Sequence, residues 1–313
     1  MARRGRTARS PDIARRRGLP RPAPAGGATS ADPHRSPFRT PGARAPQPVR
    51  SSTNHQPGSH HDRSFHRQGR PRHRGGSGIG RAIALAFARE GAAVAVAGRS
   101  AEPLAQTVKL VESEGGRATA ITADITRSEE VAALVARTVD TYGGLDVAVN
   151  NAGVITAFGP VGDVDEDQWS TLVSVNLTGT LLSMKHEIAH MRGNGGGAIV
   201  NVSSTLGAHM RLAGLGAYVA TKAAVSALTR NAALDHIRDG IRINAVSPGP
   251  SDTPMSYRQG ETGADRDARM REQLRAGRVG SLEEIAAAVL YLASPEAGFV
   301  VGADLPVDGG ATA

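Results

Sequence analysis

From residue 92 to residue 305, short apolar runs alternate with stretches of helical pattern, and this restricts the chain to an α/β fold. The runs cover 92–97, 118–123, 145–149, 198–202, 241–246 and 299–305. Helical patterning precedes or separates them over 81–89, 101–115, 127–142 and 168–191, from Tyr218 toward His236, and over 282–293. Strands alternating with helices pair in parallel, which puts helices on both faces of one sheet. No internal repeat is visible. The polar stretch 255–280, with Gly260 and Gly263, suits a mobile lid over a substrate.

The net charge of +8 is unevenly placed. Residues 1–74 hold 17 arginines, no lysine and 3 acidic residues (Asp12, Asp32 and Asp62), a balance of +14. The remainder holds 20 basic and 26 acidic residues, a balance of −6, so a nucleic-acid reading would rest on the first segment alone. That segment is rich in Arg, Pro, Ser, Gly and His, and Phe38 and Phe65 are its only aromatics. It cannot bury enough surface to offset the entropy of ordering, so 1–74 is expected to be disordered. An organelle transit peptide is one reading. An export signal lacks the apolar region that should follow its arginines, and a nucleic-acid arm lacks aromatics for stacking.

A different reading takes 1–74 as out-of-frame translation. Residues 65–74, written with CGN codons for arginine and read one base later, permit Phe-Thr-Gly-Lys-Val-Val-Leu-Val-Thr-Gly. That is an apolar strand running into a glycine turn, directly before Gly75.

Gly76-Ser77-Gly78-Ile79-Gly80 opens a helix and leads into the run 92–97, the order of a dinucleotide-binding unit. Taken alone the glycines also read as a linker. The run ends at Gly98-Arg99-Ser100, where an acidic residue would bind the ribose 2′-hydroxyl of NAD. Arginine suits the 2′-phosphate of NADP. The run 145–149 stops at Asn150-Asn151-Ala152-Gly153, small and amide residues that suit a close cofactor approach or a tight turn.

Tyr218 and Lys222 are four apart on one helix face. An ammonium beside a phenol favours the phenolate and lowers its pKa, so that near neutral pH it can both give and take a proton. His186, His190 and His236 fall on helical segments as solvated residues, and His209 lies in a loop. None has metal-ligand spacing, so no metal is expected. There is no cysteine, hence no disulfide, thiolate metal site or cysteine nucleophile. No apolar run spans a membrane. The absence of cysteine fits a reducing compartment, and a cytoplasmic location is expected.

Taken together, the chain over 75–313 resembles the classical short-chain dehydrogenase/reductase family. The motifs appear in the family's order: Gly76-Ser77-Gly78-Ile79-Gly80, Asn150-Asn151-Ala152-Gly153, Asn176, Ser204, Tyr218 with Lys222, then Pro248-Gly249 with Thr253. The resemblance implies a Rossmann-like doubly wound parallel sheet in one domain, 75–313, and a bound nicotinamide dinucleotide, NADP(H) in preference to NAD(H). It implies that Tyr218 is the general acid or base and that Lys222 lowers its pKa and holds the nicotinamide ribose. Ser204 would bond the substrate oxygen, and Asn176 would anchor a proton-relaying water. Asp124 and Ile125 would meet the adenine, Asn151, Ala152 and Gly153 the ribose side, and Pro248, Gly249, Ser251 and Thr253 the nicotinamide.

The activity so implied is hydride transfer between nicotinamide and a secondary alcohol or ketone, resembling 3-oxoacyl reductases or sugar and steroid alcohol dehydrogenases. Relatives of this kind are dimers or tetramers, so a homo-oligomer is expected. Two departures stand out. Ser251 replaces a β-branched aliphatic residue, and Arg70-Pro71-Arg72-His73-Arg74 stands where the family has an apolar first strand. Arginine, histidine and proline fit poorly in a strand buried on both faces. The alternative reading is therefore a binding protein on the same scaffold with impaired catalysis.

Overall fold

The structure, a computed structural model, describes the backbone of residues 69–73 and, in full, residues 78–258 and 260–313. The chain divides into two units, Met1–Pro57 and Gly58–Ala313, and every described residue belongs to the second.

Seven strands form one sheet: β1 Gly69–His73, β2 Ala93–Gly98, β3 Arg117–Thr122, β4 Val147–Asn150, β5 Gly197–Val202, β6 Ile241–Pro248 and β7 Asp304–Val307. Every pairing is parallel and the order is β3-β2-β1-β4-β5-β6-β7. The helices among the described residues are α1 Gly78–Arg89, α2 Ala101–Ser113, α3 Ser128–Tyr142, α4 Glu166–Leu172, α5 Gly179–Arg192, α6 Thr205–Ala208, α7 Gly216–His236, α8 Gly263–Gln273 and α9 Leu282–Ala293. This is the doubly wound Rossmann-like architecture. The strand order reverses between β1 and β4, and a crevice at such a reversal is where ligands bind.

Strand side chains alternate between two layers because the strand period is two. Val147 and Val149 pack with Ile83 and Phe87 of α1 and Ile285 of α9. Ala148 and Ile199 turn the other way, onto Met184 and Met191 of α5 and Ile243 of β6. Phe87 and Ile83 have no exposed surface, and burial of each contributes about 2–3 kcal/mol.

Four local outcomes differ from the sequence expectation. The backbone of Gly69–His73 lies in the middle of the sheet, in register with Ala93–Ala97 of β2 and, at Arg72, with Val149 of β4. A strand therefore occupies the place for which the sequence offers no apolar run. The last strand is Asp304–Val307 rather than 299–305. Phe299 is fully exposed and Gly302 has φ +69°, so the apolar run breaks before it can pair. Asn244 of β6 holds the intervening loop, donating to the Val300 carbonyl at 2.9 Å and accepting from the Ala303 N–H at 2.9 Å.

The polar stretch 255–280 contains a regular helix, α8, started by a reciprocal cap between Thr262 and Asp265. The expected long helix 168–191 is two helices, α4 and α5, joined through a π-helical turn, Val173–Thr178. Such wide turns re-aim a side chain and recur at functional sites. This one carries Asn176.

Candidate active site at the carboxyl ends of the central strands

Ser204, Tyr218, Lys222 and Asn176 converge beyond the carboxyl ends of β4 and β5. Ser204 lies two residues past β5 and its Oγ accepts the Leu206 N–H at 3.2 Å, capping α6. Tyr218 is the third residue of α7, where the helix dipole favours negative charge, and it is buried. Its phenol is hydrogen-bonded to the Ser204 side chain.

The protonation of Tyr218 departs from the sequence expectation. Burial pushes its pKa above the ordinary phenol value, and the Ser204 hydrogen bond pulls only partly back. Lys222 is not among the groups that lower it. Lys222 Nζ donates to the Val202 carbonyl at 2.9 Å, at the end of β5.

The lysine is approached on another side by Gly153. A Cβ there would stand 3.3 Å from Lys222 Nζ and 3.5 Å from Asn176 Oδ1, tighter than ordinary contact for the first. Glycine at this point lets the β4 exit loop, the lysine and the asparagine share one corner.

Asn176 is fully buried. Its Oδ1 accepts from the Val154 N–H at 2.8 Å. Its Nδ2 donates to the Val154 carbonyl at 3.0 Å and to Thr221 Oγ1 at 3.2 Å. Both amide protons are thus committed, and the side chain clamps the β4 exit loop to α7. Gly179, just after the π-helical turn, admits Ile125, whose Cδ1 would lie 2.5 Å from a Cβ at that position. Ile125 is accordingly buried beneath this turn.

On the cofactor side, Gly76 and Ser77 lie outside the described residues. Gly78 (φ +54°), Ile79 and Gly80 form the first turn of α1. Thr253 faces it, its Cγ2 3.7 Å from where a Gly78 Cβ would be. Pro248 ends β6, and Ser251 is buried with its Oγ donating to the Gly249 carbonyl at 2.9 Å. Asn151 and Ala152 are half-buried between β4 and Gly153. Arg99 is exposed just past β2.

Asp124, past β3, is an ionised neighbour of Arg99. Burial raises its pKa, but the Thr126 N–H and hydroxyl, then the charges of Arg99 and Arg127, bring it below the usual carboxylate range. The group that fits this arrangement is a dinucleotide. It would meet a helix start with a left-handed glycine, a strand end without a carboxylate, a cation beside it, and a glycine that opens the space next to Lys222.

The sequence reading overlooked several supporting contacts. Thr221 holds Asn176, and its place between Tyr218 and Lys222 was the available signal. His209 Nε2 lies 3.2 Å from Oδ2 of Asp304 without hydrogen-bond geometry, while the buried Asp304 accepts from Ser247 Oγ at 2.5 Å. Within the stretch 252–266, Arg266 stacks over Tyr257 at 4.5 Å and donates to Asp252 at 2.6 Å. Among the described residues no group of three potential ligands could hold a metal ion. No helix among them is long and apolar enough to cross a membrane.

Comparison with known proteins agrees with this fold. A family model described as enoyl-(acyl carrier protein) reductase matches residues 75–312. The chain is 44% identical over 237 residues to a cis-4-hydroxycyclohexanecarboxylate dehydrogenase of Sinomonas cyclohexanicum, covering 76% of this chain and 93% of that protein. It is 38% identical to a 3β-hydroxysteroid dehydrogenase of Mediterraneibacter gnavus, covering 75% and 91%. Among solved structures, a levodione reductase superposes with a TM-score of 0.76 at 31% identity, covering 80% of this chain and 99% of that one.

Proposed function

The chain belongs to the classical short-chain dehydrogenase/reductase family, and from that premise we propose an NADP(H)-preferring enzyme that interconverts a secondary alcohol and a ketone. The observation that carries the reading is the buried Tyr218 phenol, hydrogen-bonded to Ser204, on the helix face that also bears Lys222.

Bound nicotinamide supplies or accepts the hydride. In reduction, the Tyr218 hydroxyl gives its proton to the carbonyl oxygen as negative charge develops there. In oxidation, the phenolate takes the alcohol proton. Ser204 Oγ donates to the same substrate oxygen and holds it against the phenol. Lys222, anchored on Val202, would present its charge to the ribose hydroxyls and stabilise the phenolate once they are in place. Gly76, Ser77, Gly78, Ile79 and Gly80 would hold the pyrophosphate. Asp124 and Ile125 would meet the adenine; Asn151, Ala152 and Gly153 would meet the ribose. Pro248, Gly249, Ser251 and Thr253 would meet the nicotinamide. Arg99 would favour the 2′-phosphate, since β2 ends without a carboxylate to repel it.

Tyr218 packs with Ala157, Leu172 and Ala217, and Val154, Ile155 and Leu206 border them. Relatives are named for cyclohexanecarboxylate and steroid alcohols, which makes cyclic secondary alcohols the first substrates to test. Assembly as a homo-oligomer, dimer or tetramer, follows from the family and is tested by light scattering on the purified protein.

The deciding experiment is steady-state turnover of a panel of cyclic and open-chain alcohols and ketones with NADP(H) and NAD(H). Turnover of a cyclic member with NADP(H), lost in Tyr218→Phe, is the expected result. A Tyr218→Phe enzyme as fast as wild type would remove the phenol from the chemistry.

A further inference from the structure

Glu187 of α5 is a carboxylate with 1% exposure, and the mechanism above gives it no part. It lies beneath the crevice. Asn150, the last residue of β4, donates from Nδ2 to Glu187 Oε2 at 3.0 Å and to Asn201 Oδ1 at 3.0 Å. Asn201 is the register partner of Asn150 on β5. It donates in turn to Thr229 Oγ1 of α7 at 2.9 Å and to Met184 Sδ of α5 at 3.2 Å. One buried amide network therefore ties β4, β5, α5 and α7 together.

The network sits directly below the catalytic corner. The chain leaves Asn150 into Asn151, Ala152 and Gly153, and Gly153 backs onto Lys222 and Asn176. The chain leaves Asn201 into Val202, whose carbonyl anchors Lys222 Nζ. The Asn150–Asn201 pair thus supports the lysine from both strands.

The Glu187 carboxylate fixes which way the Asn150 amide faces. Both Asn150 N–H bonds are used, one on each oxygen acceptor, while its Oδ1 is buried without a hydrogen-bond partner. Turning the amide over would set Oδ1 against the Glu187 carboxylate and the Asn201 oxygen. Two acceptors would then face a third in a buried site, which is strongly unfavourable. With no acceptor at 187 that barrier falls, and the amide can exchange partners.

We propose that Glu187 is a positioning residue for the hydride-transfer reaction: it locks the Asn150 amide, and through it the turn Asn150 to Gly153 beside Lys222 and the cofactor ribose. The inference rests on the cofactor reading above, so its test has one arm that needs no cofactor. Glu187→Gln removes the charge but keeps an oxygen acceptor at the same reach. Glu187→Asp keeps the charge but withdraws the acceptor by one methylene.

Amide hydrogen exchange over 150–154 is measured on the nucleotide-free protein, together with the thermal midpoint. NADPH and NADH dissociation constants come from nucleotide fluorescence titration, and kcat from saturating cofactor. In E187D, exchange over 150–154 should rise about ten-fold and the nucleotide dissociation constant should rise about ten-fold, with kcat changed less than about three-fold. E187Q should stay within about two-fold of wild type on all three.

Unchanged exchange in E187D overturns the proposal. An E187Q protein whose exchange over 150–154 rises about ten-fold overturns it too, whether or not E187D folds. A wild-type protein that binds neither nucleotide, but whose exchange still rises in E187D, would sink the cofactor reading and leave the lock in place.

Discussion

Lys222 Nζ donates to the Val202 carbonyl at 2.9 Å, and the phenol of Tyr218, one helical turn earlier, is bonded to Ser204 instead. The proposed catalytic pair is therefore divided between two supports, the β5 backbone and the Ser204 hydroxyl. This has a consequence for mutation. Tyr218→Phe removes the proton donor and leaves both supports, so kcat should fall by about 10²–10⁴ with nucleotide affinity nearly unchanged. Lys222→Ala removes the ribose contact as well, so it should lower kcat and weaken nucleotide binding together. Steady-state kinetics alongside fluorescence titration separates the two patterns.

The raised pKa of Tyr218 predicts a pH signature. In the nucleotide-free protein its phenol should ionise above the ordinary value of ~10, read as the difference in tyrosinate absorbance between wild type and Tyr218→Phe. The subtraction matters because burial raises Tyr142 too. Ser204→Ala removes the hydrogen bond that pulls the pKa down, so it should move the transition to still higher pH. The sign for stability follows from the raised pKa. The contribution of the buried neutral phenol is present below ~10 and is lost as pH climbs through the folded value. Wild type should therefore lose stability more steeply than Tyr218→Phe on the alkaline side. A Tyr218 transition below ~10 without nucleotide would contradict this account.

The proposed preference for NADP(H) rests on Arg99. Because β2 ends in glycine and an exposed arginine, Arg99→Ala should weaken NADPH by about ten-fold and leave NADH within about two-fold. Gly98→Asp should act in the opposite sense, repelling the 2′-phosphate and improving NADH relative to NADPH. Paired titrations with both nucleotides check this; equal losses for both in Arg99→Ala would mean the arginine does not read the phosphate.

Much of this architecture was legible because its signals are local. The run 198–202 and the helix 282–293 appear almost as written, since apolar periodicity is a property of neighbouring residues. The catalytic corner was legible as a set of motifs, but not how its members are bonded. Lys222 facing Val202, and Asn176 spending its amide on Val154 and Thr221, depend on partners 20 to 45 residues distant. The last strand was misplaced because Phe299 is apolar yet exposed, which only the tertiary position decides. Glu187 gave no signal at all, since a glutamate in a helix ordinarily reads as surface.

The remaining prediction concerns β1. Arg70, Pro71 and Arg72 are in register with Val94, Ala95 and Val96, which have no exposed surface, and Arg72 also pairs Val149 of β4. A central position flanked by such partners favours β-branched apolar residues, and a proline there lacks the N–H its neighbour expects. The triple substitution Arg70→Val, Pro71→Leu and Arg72→Val should therefore stabilise the protein. A gain of about 3 kcal/mol corresponds to a midpoint higher by roughly 6–12 °C. Nucleotide binding should tighten as well, since β1 leads directly to the glycine turn. The gene offers an independent check. Codons 65–74, read one base later, should encode an apolar strand ending in Thr-Gly, and the strand observed at Gly69–His73 falls within that window. A shifted frame rich in polar codons, together with an unchanged midpoint in the triple variant, would show that the strand is native as written and tolerates its charges.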